Sequence, residues 1–226
     1  LFYPDLHSAE VVDPDQSEQP WIMDRIHSEG FYEVFIPNRS FFRYLLRLTK
    51  NNGEIILTRD PYSFLPLLTD LDIYLFNEGT HLAIYEFLGA HFKTIDETPG
   101  MLFCVWAPNA RRVSVVGDFN GWDGRIHQMR MIGSSGIWEI FIPNVPTETR
   151  YKFEIKTQEG HLLLKSDPLA FYAEKTPLTA SLTYNLSGYN WRDHDWIEKR
   201  KSSSLLATPM SIYEVHLGSW KKGEYS

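Results

Sequence analysis

The strongest constraint on the fold is that this chain repeats itself. Gly30-Phe31-Tyr32-Glu33-Val34-Phe35-Ile36-Pro37-Asn38 returns 106 residues later as Gly136-Ile137-Trp138-Glu139-Ile140-Phe141-Ile142-Pro143-Asn144, with six of nine positions identical. With the offset longer by one residue, Arg43-Tyr44 returns as Arg150-Tyr151, Gly53 as Gly160, and Asp60-Pro61-Tyr62-Ser63-Phe64 as Asp167-Pro168-Leu169-Ala170-Phe171. Solenoid repeats run to about 20–50 residues, so a period this long means two copies of a whole module. Each copy reads as short runs of aromatic and β-branched residues broken by turn formers, which is a β-sandwich pattern. The chain is therefore expected to be all-β with two tandem sandwiches.

In the first copy, Gly30 to Pro37 and Phe41 to Thr49 read as the two arms of a hairpin around Pro37-Asn38-Arg39-Ser40. Asn51-Asn52-Gly53 marks the next turn, Glu54 to Thr58 a third strand, and Asp60-Pro61 the break after it. Residues 1 to 20, with prolines at 4, 14 and 20, give no firm element. In the second copy, strands are expected over Met101 to Ala107, Val113 to Gly117, Ile137 to Ile142, Arg150 to Thr157 and His161 to Lys165. The counterpart of the first of these would fall before Leu1, so the first module reads as truncated at its start. Between the copies, Asn77 to Gly89 has a polar cap, apolar residues at helical spacing and a glycine stop, which predicts a connecting helix. Asp193 to Lys201 reads as a helix capped by Asp193, and Ser202-Ser203-Ser204 as the start of a linker.

Composition narrows the function classes. A 15% aromatic content with 23% charged residues supplies packed cores, and a net charge of −7 excludes the basic footprint of a nucleic-acid partner. The basic pairs Arg111-Arg112 and Lys221-Lys222 are too short to change this. No apolar run reaches the ~18 residues of a membrane span, so no membrane partner is expected. The single Cys104 lies in the apolar run Leu102 to Trp106 and reads as a buried thiol in a reducing, cytoplasmic setting. The chain opens at Leu1 in what looks like mid-domain sequence and reads as a fragment.

The stretch Arg111 to Gly124 is where a ligand is expected. Val113, Val115 and Val116 build a strand, while Gly117, Asp118, Asn120, Gly121, Asp123 and Gly124 end it in a turn that carries Trp122. A loop-borne indole offers a flat apolar face with one N–H donor, suited to the C–H-rich face of a sugar ring. The competing expectation is a Trp122 folded back as a core plug. Asp118 with Asp123, Asp193 with His194 and Asp195, and Glu214 with His216 read better as turn formers, a helix cap and strand alternation than as catalytic pairs. His81, His91 and His161 show no metal-ligand spacing, and no cofactor is expected.

Five motifs fall in one order: Leu88-Gly89-Ala90-His91, Phe103-Cys104-Val105-Trp106-Ala107-Pro108-Asn109-Ala110, Gly117-Asp118-Phe119-Asn120-Gly121-Trp122, Lys165-Ser166-Asp167-Pro168, and Tyr213-Glu214-Val215-His216-Leu217-Gly218-Ser219-Trp220. In this the chain resembles the N-terminal part of a bacterial 1,4-α-glucan (glycogen) branching enzyme. The resemblance implies two immunoglobulin-like sandwiches joined by a short helix, then a linker and the first strand of a truncated (β/α)₈ barrel. It divides the chain into an N-terminal module over 1–76, the connecting helix over 77–89, a carbohydrate-binding module of family 48 type over 90–185, a linker over 186–210 and the barrel's start over 211–226. It implies transfer of α-1,4-glucan chains to 6-hydroxyls by the parent enzyme, through carboxylates on later barrel strands. None of these has a counterpart here, so no catalytic residue is carried over. It also implies a glucan site in which Trp122 stacks on glucose and Lys152 bonds its hydroxyls, weakened because the second tryptophan of such sites is Leu164. The expected partners are α-glucan and the chain's own barrel. The Asp-Phe-Asn-x-Trp element is shared with debranching enzymes and with non-catalytic glycogen-binding kinase subunits, which are the alternatives.

Overall fold

The computed structural model describes residues 1–15, 19–40, 42–204 and 209–220, which gather into two compact units, Leu1–Asn185 and Leu186–Ser226. The first unit holds the strands. In the first module these are β1 (Leu6–Val12), β2 (Trp21–Ile22), β3 (Asp24–His27), β4 (Phe31–Glu33), β5 (Leu45–Lys50) and β6 (Ile55–Thr58). They form one sheet in the order β2-β1-β5-β6 and the separate hairpin β3-β4. The second module runs through β7 (Gly89–Ile95), β8 (Thr98–Trp106), β9 (Arg112–Gly117), β10 (Arg130–Met131), β11 (Ile137–Pro143), β12 (Arg150–Lys156), β13 (Leu162–Lys165), β14 (Tyr172–Ala173) and β15 (Ser181–Leu182). One of its sheets has the order β10-β11-β8-β7. The other is built on β12, which pairs with β9, β13 and β15, with β14 beside β15.

Inward-facing residues of both sheets form the second module's core. Met101, Phe103 and Val105 of β8 and Trp138, Ile140 and Ile142 of β11 pack on Val113, Val115, Tyr151 and Phe153 of β9 and β12. These side chains alternate along their strands, so period-two patterning puts them on one face. Cys104 is buried as expected, on the opposite face of β8, where it packs with Ile137 and Leu68. The first module has a smaller core of Leu6, Ala9, Val11, Tyr32, Leu46 and Leu48.

Strand register carries the duplication further than the sequence did. β5 pairs with β6, Leu46 opposite Thr58, as β12 pairs with β13, Phe153 opposite Lys165. β3 meets β4 with Asp24 opposite Glu33, as β10 meets β11 with Arg130 opposite Glu139. β1 meets β5 with Val11 opposite Leu46, as β9 meets β12 with Val115 opposite Phe153. Phe2 bridges Phe31 just as Trp106 pairs with Ile137.

Several expectations are corrected. The hairpin read across Pro37-Asn38-Arg39-Ser40 does not form, because β4 pairs with β3 and β5 with β1 and β6; Phe41, in its second arm, lies outside the described residues. Residues 1 to 20 are not featureless: β1 is central in its sheet, with Leu6, Ala9 and Val11 buried. The connecting helix expected over 77–89 instead runs over Asp70–Glu78 as α1, because Thr69 and Asp72 form a reciprocal capping box and Gly79, at φ 79°, ends it. The glycine of the supposed start is the stop, and Ile84–Glu86 makes only a 3₁₀ turn.

The second unit contains α2 (His194–Ser202), with Asp193 at its N-cap, and one helical turn over Leu217–Trp220. The strand expected from Ser211 is not assigned, since residues 211–216 carry no regular structure and 221–226 lie outside the described residues.

Candidate functional site

The loop after β9 is held from beneath. The Asn120 side chain is buried, and its Oδ1 accepts from the Gly117 N–H at 2.9 Å. That turns its amide nitrogen towards the Val115 carbonyl at 2.9 Å and His127 Nδ1 at 3.0 Å. His127 Nδ1 is therefore the acceptor and its proton sits on Nε2. Burial lowers the His127 pKa to about 4, so the ring is neutral and this arrangement persists at neutral pH. Phe119 packs against Phe103 and His127. Gly117 admits no side chain, since a Cβ there would strike the Arg150 carbonyl. Gly121 at φ 61° and Trp122 at φ 63° then turn the chain back, and the Trp122 N–H donates to the Gly117 carbonyl at 3.1 Å. The left-handed conformation is unfavourable for tryptophan and is held by the surrounding bonds.

Trp122 is 37% exposed and is not a core plug. Its indole N–H donates to Asp118 Oδ1 at 3.1 Å, and Arg150 donates to the same carboxylate through Nε at 3.0 Å and Nη2 at 3.1 Å. Burial pushes the Asp118 carboxyl up, but the hydrogen bonds from Arg150 and Trp122 outweigh it and hold the pKa below the ordinary value. Lys152 follows Arg150 by two residues on β12, so both point outward from the same sheet face. Its ammonium donates to Thr179 Oγ1 at 2.7 Å. Leu164, opposite Glu154 on β13, is 57% exposed on that face. Trp122 is thus tied to Arg150 through Asp118, and Lys152 shares the outward face of Arg150. Such a surface can stack one sugar ring and offer charged hydrogen-bonding groups to its hydroxyls.

The sequence alone does not mark Asp118, Arg150, Asn120 and His127 as site residues. Arg150 was legible from its alternation with Lys152, and Asn120 from its place between Phe119 and Trp122. The contact of His127 with Asn120 depends on the loop's return path. Trp138, within the repeated string, packs in the core and donates to the Ala107 carbonyl at 3.0 Å. Of the carboxylate pairs, Asp123 is engaged by Arg125, and Asp193 caps α2 without a side-chain bond. His216 Nδ1 lies 3.0 Å from Ser219 Oγ. Among the described residues no group of three or more His, Cys, Asp or Glu is placed to hold a metal, and no helix is long and apolar enough to cross a membrane.

Two concave spaces lie elsewhere. A cavity of about 440 Å³ between the modules is lined by Phe2, Tyr62, Phe119 and His127 among others. Another of about 520 Å³ is lined by Val34, Ile36, Tyr44 and Leu46 of the first module. In the second module the counterparts of these four, Ile140, Ile142, Tyr151 and Phe153, pack with Met101 and Phe103 in the core. Neither cavity is lined by Trp122 or Lys152, and stacking on a sugar needs a flat exposed ring more than a cavity.

Residues 87–170 match carbohydrate-binding module 48, the isoamylase N-terminal domain, and residues 1–62 match the N-terminal domain of the alpha-1,4-glucan branching enzyme GlgB. The 1,4-alpha-glucan branching enzyme GlgB of Thermosynechococcus vestitus is 50% identical over 97% of this chain. The chain is related to the N-terminal region of these branching enzymes. It spans 28% of the length of that relative. The enzymes of the same name from Synechocystis sp. and Rhodopirellula baltica are 49% and 44% identical over 90% and 96% of this chain, which spans 26% and 31% of them. Among solved structures, a pullulanase from Anoxybacillus sp. LM18-11 aligns with 81% of this chain and 25% of its own at 16% identity and a TM-score of 0.39, too weak a likeness to bear on function.

Proposed function

We propose that the chain is the non-catalytic accessory part of a glycogen branching enzyme, and that its second module binds α-glucan through Trp122 and Lys152. The observation that carries this is the exposed indole held at the end of β9, on the same face as Lys152, inside the segment that matches a carbohydrate-binding module. The first module, 1–76, and the binding module, 90–185, meet at the α1 connector; 186–210 is the linker and 211–226 leads into the catalytic barrel, the chain's other partner in the parent enzyme. The parent forms α-1,6 branches from α-1,4-glucan in the cytoplasm, a setting that the lone buried thiol of Cys104 supports. The relatives' names favour this over a targeting subunit or a debranching enzyme.

Binding is weak, about millimolar, because an open sheet face buries only part of a sugar and Leu164 supplies no ring. Maltoheptaose titrated into the wild type and into Trp122→Ala tests the site, with melting temperatures measured alongside. Loss of binding at unchanged melting is expected; equal binding by the variant would overturn it. Incubated with amylose, the chain should leave the iodine absorbance unchanged. A steady blue shift, with contaminating enzyme excluded, would place chemistry within residues 1–226.

A further inference from the structure

We infer that Tyr172 and Tyr184 form a second aromatic subsite for α-glucan on the face that carries Trp122, so that the module takes a segment of several sugar units. The inference rests on the proposed glucan site and extends it with the aromatic surface that Leu164 does not supply.

The register puts the two tyrosines there. Arg150 on β12 pairs with Leu182 on β15, and Leu182 pairs with Tyr172 on β14. Directly paired residues point to the same side of a sheet, so Tyr172, Leu182 and Arg150 share one face. The neighbouring row of Gly117, Tyr151, Ser181 and Ala173 faces the other way, with Tyr151 and Ser181 buried. Thr183 is buried as well, and alternation then brings Tyr184 back to the outer face. The two rings lie with centroids 5.5 Å apart and planes at 46°, exposed at 49% and 42%. Neither hydroxyl makes a hydrogen bond among the described residues, so each is open to a ligand.

Polar groups join this pair to Trp122. Arg150 is bonded to Asp118 beneath the indole, and its Nη1 lies 3.9 Å from Glu174 Oε1. Glu174 follows Tyr172 by two residues. The face therefore reads as an indole, a charged floor of Asp118, Arg150, Lys152 and Glu174, then the tyrosine pair. Tyr172 stands two inter-strand spacings from β12, about 10 Å, and Trp122 lies on the opposite side of β12 beside Asp118. One glucose ring cannot touch both ends. A maltooligosaccharide can, with its apolar ring faces on the aromatics and its hydroxyls on the floor between them.

The test compares a short with a long ligand. Maltose and maltoheptaose are titrated into the wild type, Trp122→Ala, the double variant Tyr172→Ser/Tyr184→Ser and the double variant Tyr172→Phe/Tyr184→Phe. Melting is followed throughout. The serine variant is expected to lose about tenfold in maltoheptaose affinity, the contribution of an aromatic contact, with maltose binding unchanged. The phenylalanine variant keeps most of the maltoheptaose affinity, because the rings remain. Trp122→Ala weakens both ligands. If the serine variant binds maltoheptaose within about twofold of the wild type, the subsite is wrong while the Trp122 site stands. If Trp122→Ala is silent and the serine variant is not, the Trp122 site falls and the tyrosine subsite remains. Should the wild type bind neither sugar, both are wrong. Were the serine variant to unfold, the single Tyr172→Ser and Tyr184→Ser variants would decide by the same comparison, and full maltoheptaose affinity in both would overturn the inference.

Discussion

In the first module Tyr44 donates to Asp60 at 2.7 Å, and in the second Tyr151 donates to Asp167 at 2.6 Å. The other oxygen of each carboxylate accepts the N–H two residues on, from Tyr62 at 2.9 Å and from Leu169 at 2.8 Å. Gly30 and Gly136 both sit at positive φ, and a Cβ on either would come within 2.6 Å of a proline Cα, that of Pro4 or of Pro108. Asn38 and Asn144 are both left-handed, at φ 56° and 59°. The outward positions have diverged. Lys152, opposite Val116, has as its counterpart Leu45, opposite Val12. After β9 the chain makes the Trp122 turn, whereas after β1 it follows Asp13-Pro14-Asp15, with Asp13 paired to Arg39. Glu33 and Glu139 occupy equivalent places, yet only Glu139 is buried, where it accepts from the N–H groups of Leu67 and Leu68. Positions that set turn geometry and packing have little latitude, while outward ones are free to acquire a binding face.

The largest effect is expected at the paired glycines. Gly136→Ala and Gly30→Ala should each cost about 3 kcal/mol or more, from the left-handed backbone and the clash with a neighbouring chain segment. Thermal unfolding measures it, at about 2–4 °C per kcal/mol for a chain of this size. One variant near wild-type stability would break the equivalence.

His127, in the loop that follows β9, comes next. Its folded pKa of about 4 lies below the ordinary 6.5. The unfolded chain therefore binds more protons between those values, and the stabilisation is complete above about pH 6.5 and lost as the pH falls towards 4. The difference amounts to about 3 kcal/mol. Glu139 and Asp167 act in the opposite direction, because burial raises both and favours the protonated folded state. His127→Gln should flatten the acid limb of the stability curve, and an unchanged slope would dissociate that limb from His127.

The tyrosine–aspartate pairs should differ by burial. Tyr151→Phe leaves a buried Asp167 oxygen without its donor and should cost about 2 kcal/mol, against about 1 kcal/mol for Tyr44→Phe, whose ring is only partly buried. Equal losses would show that the first module packs this pair as tightly as the second. The smallest contrast is at the glutamates. Glu139→Gln should cost about 1 kcal/mol by weakening charge-assisted bonds to the connector, while the exposed Glu33→Gln stays within about 0.5 kcal/mol of wild type. A comparable loss at Glu33 would mean that a second segment packs on it.

The duplication, the all-β class, five strands of the second module and the Trp122 turn were all legible in the residues. They rest on local information: period-two alternation, turn chemistry at Gly53, Gly121 and Gly160, and a repeated string. The pairing of β4 with β3, the central place of β1 and the position of α1 were not. The segment around β1 looks irregular beside Pro4 and Pro14, and nothing within Gly30 to Ser40 says which neighbour its strand will meet. Partner choice is decided by which register buries the most apolar surface across the whole module, and no window of sequence contains that sum. The same reason divides the candidate site. Trp122 and Lys152 stood out from their own segments. Asp118, Arg150 and Glu174 could be joined into one surface, with Tyr172 and Tyr184 at its far side, only when β9, β12, β15 and β14 were laid side by side.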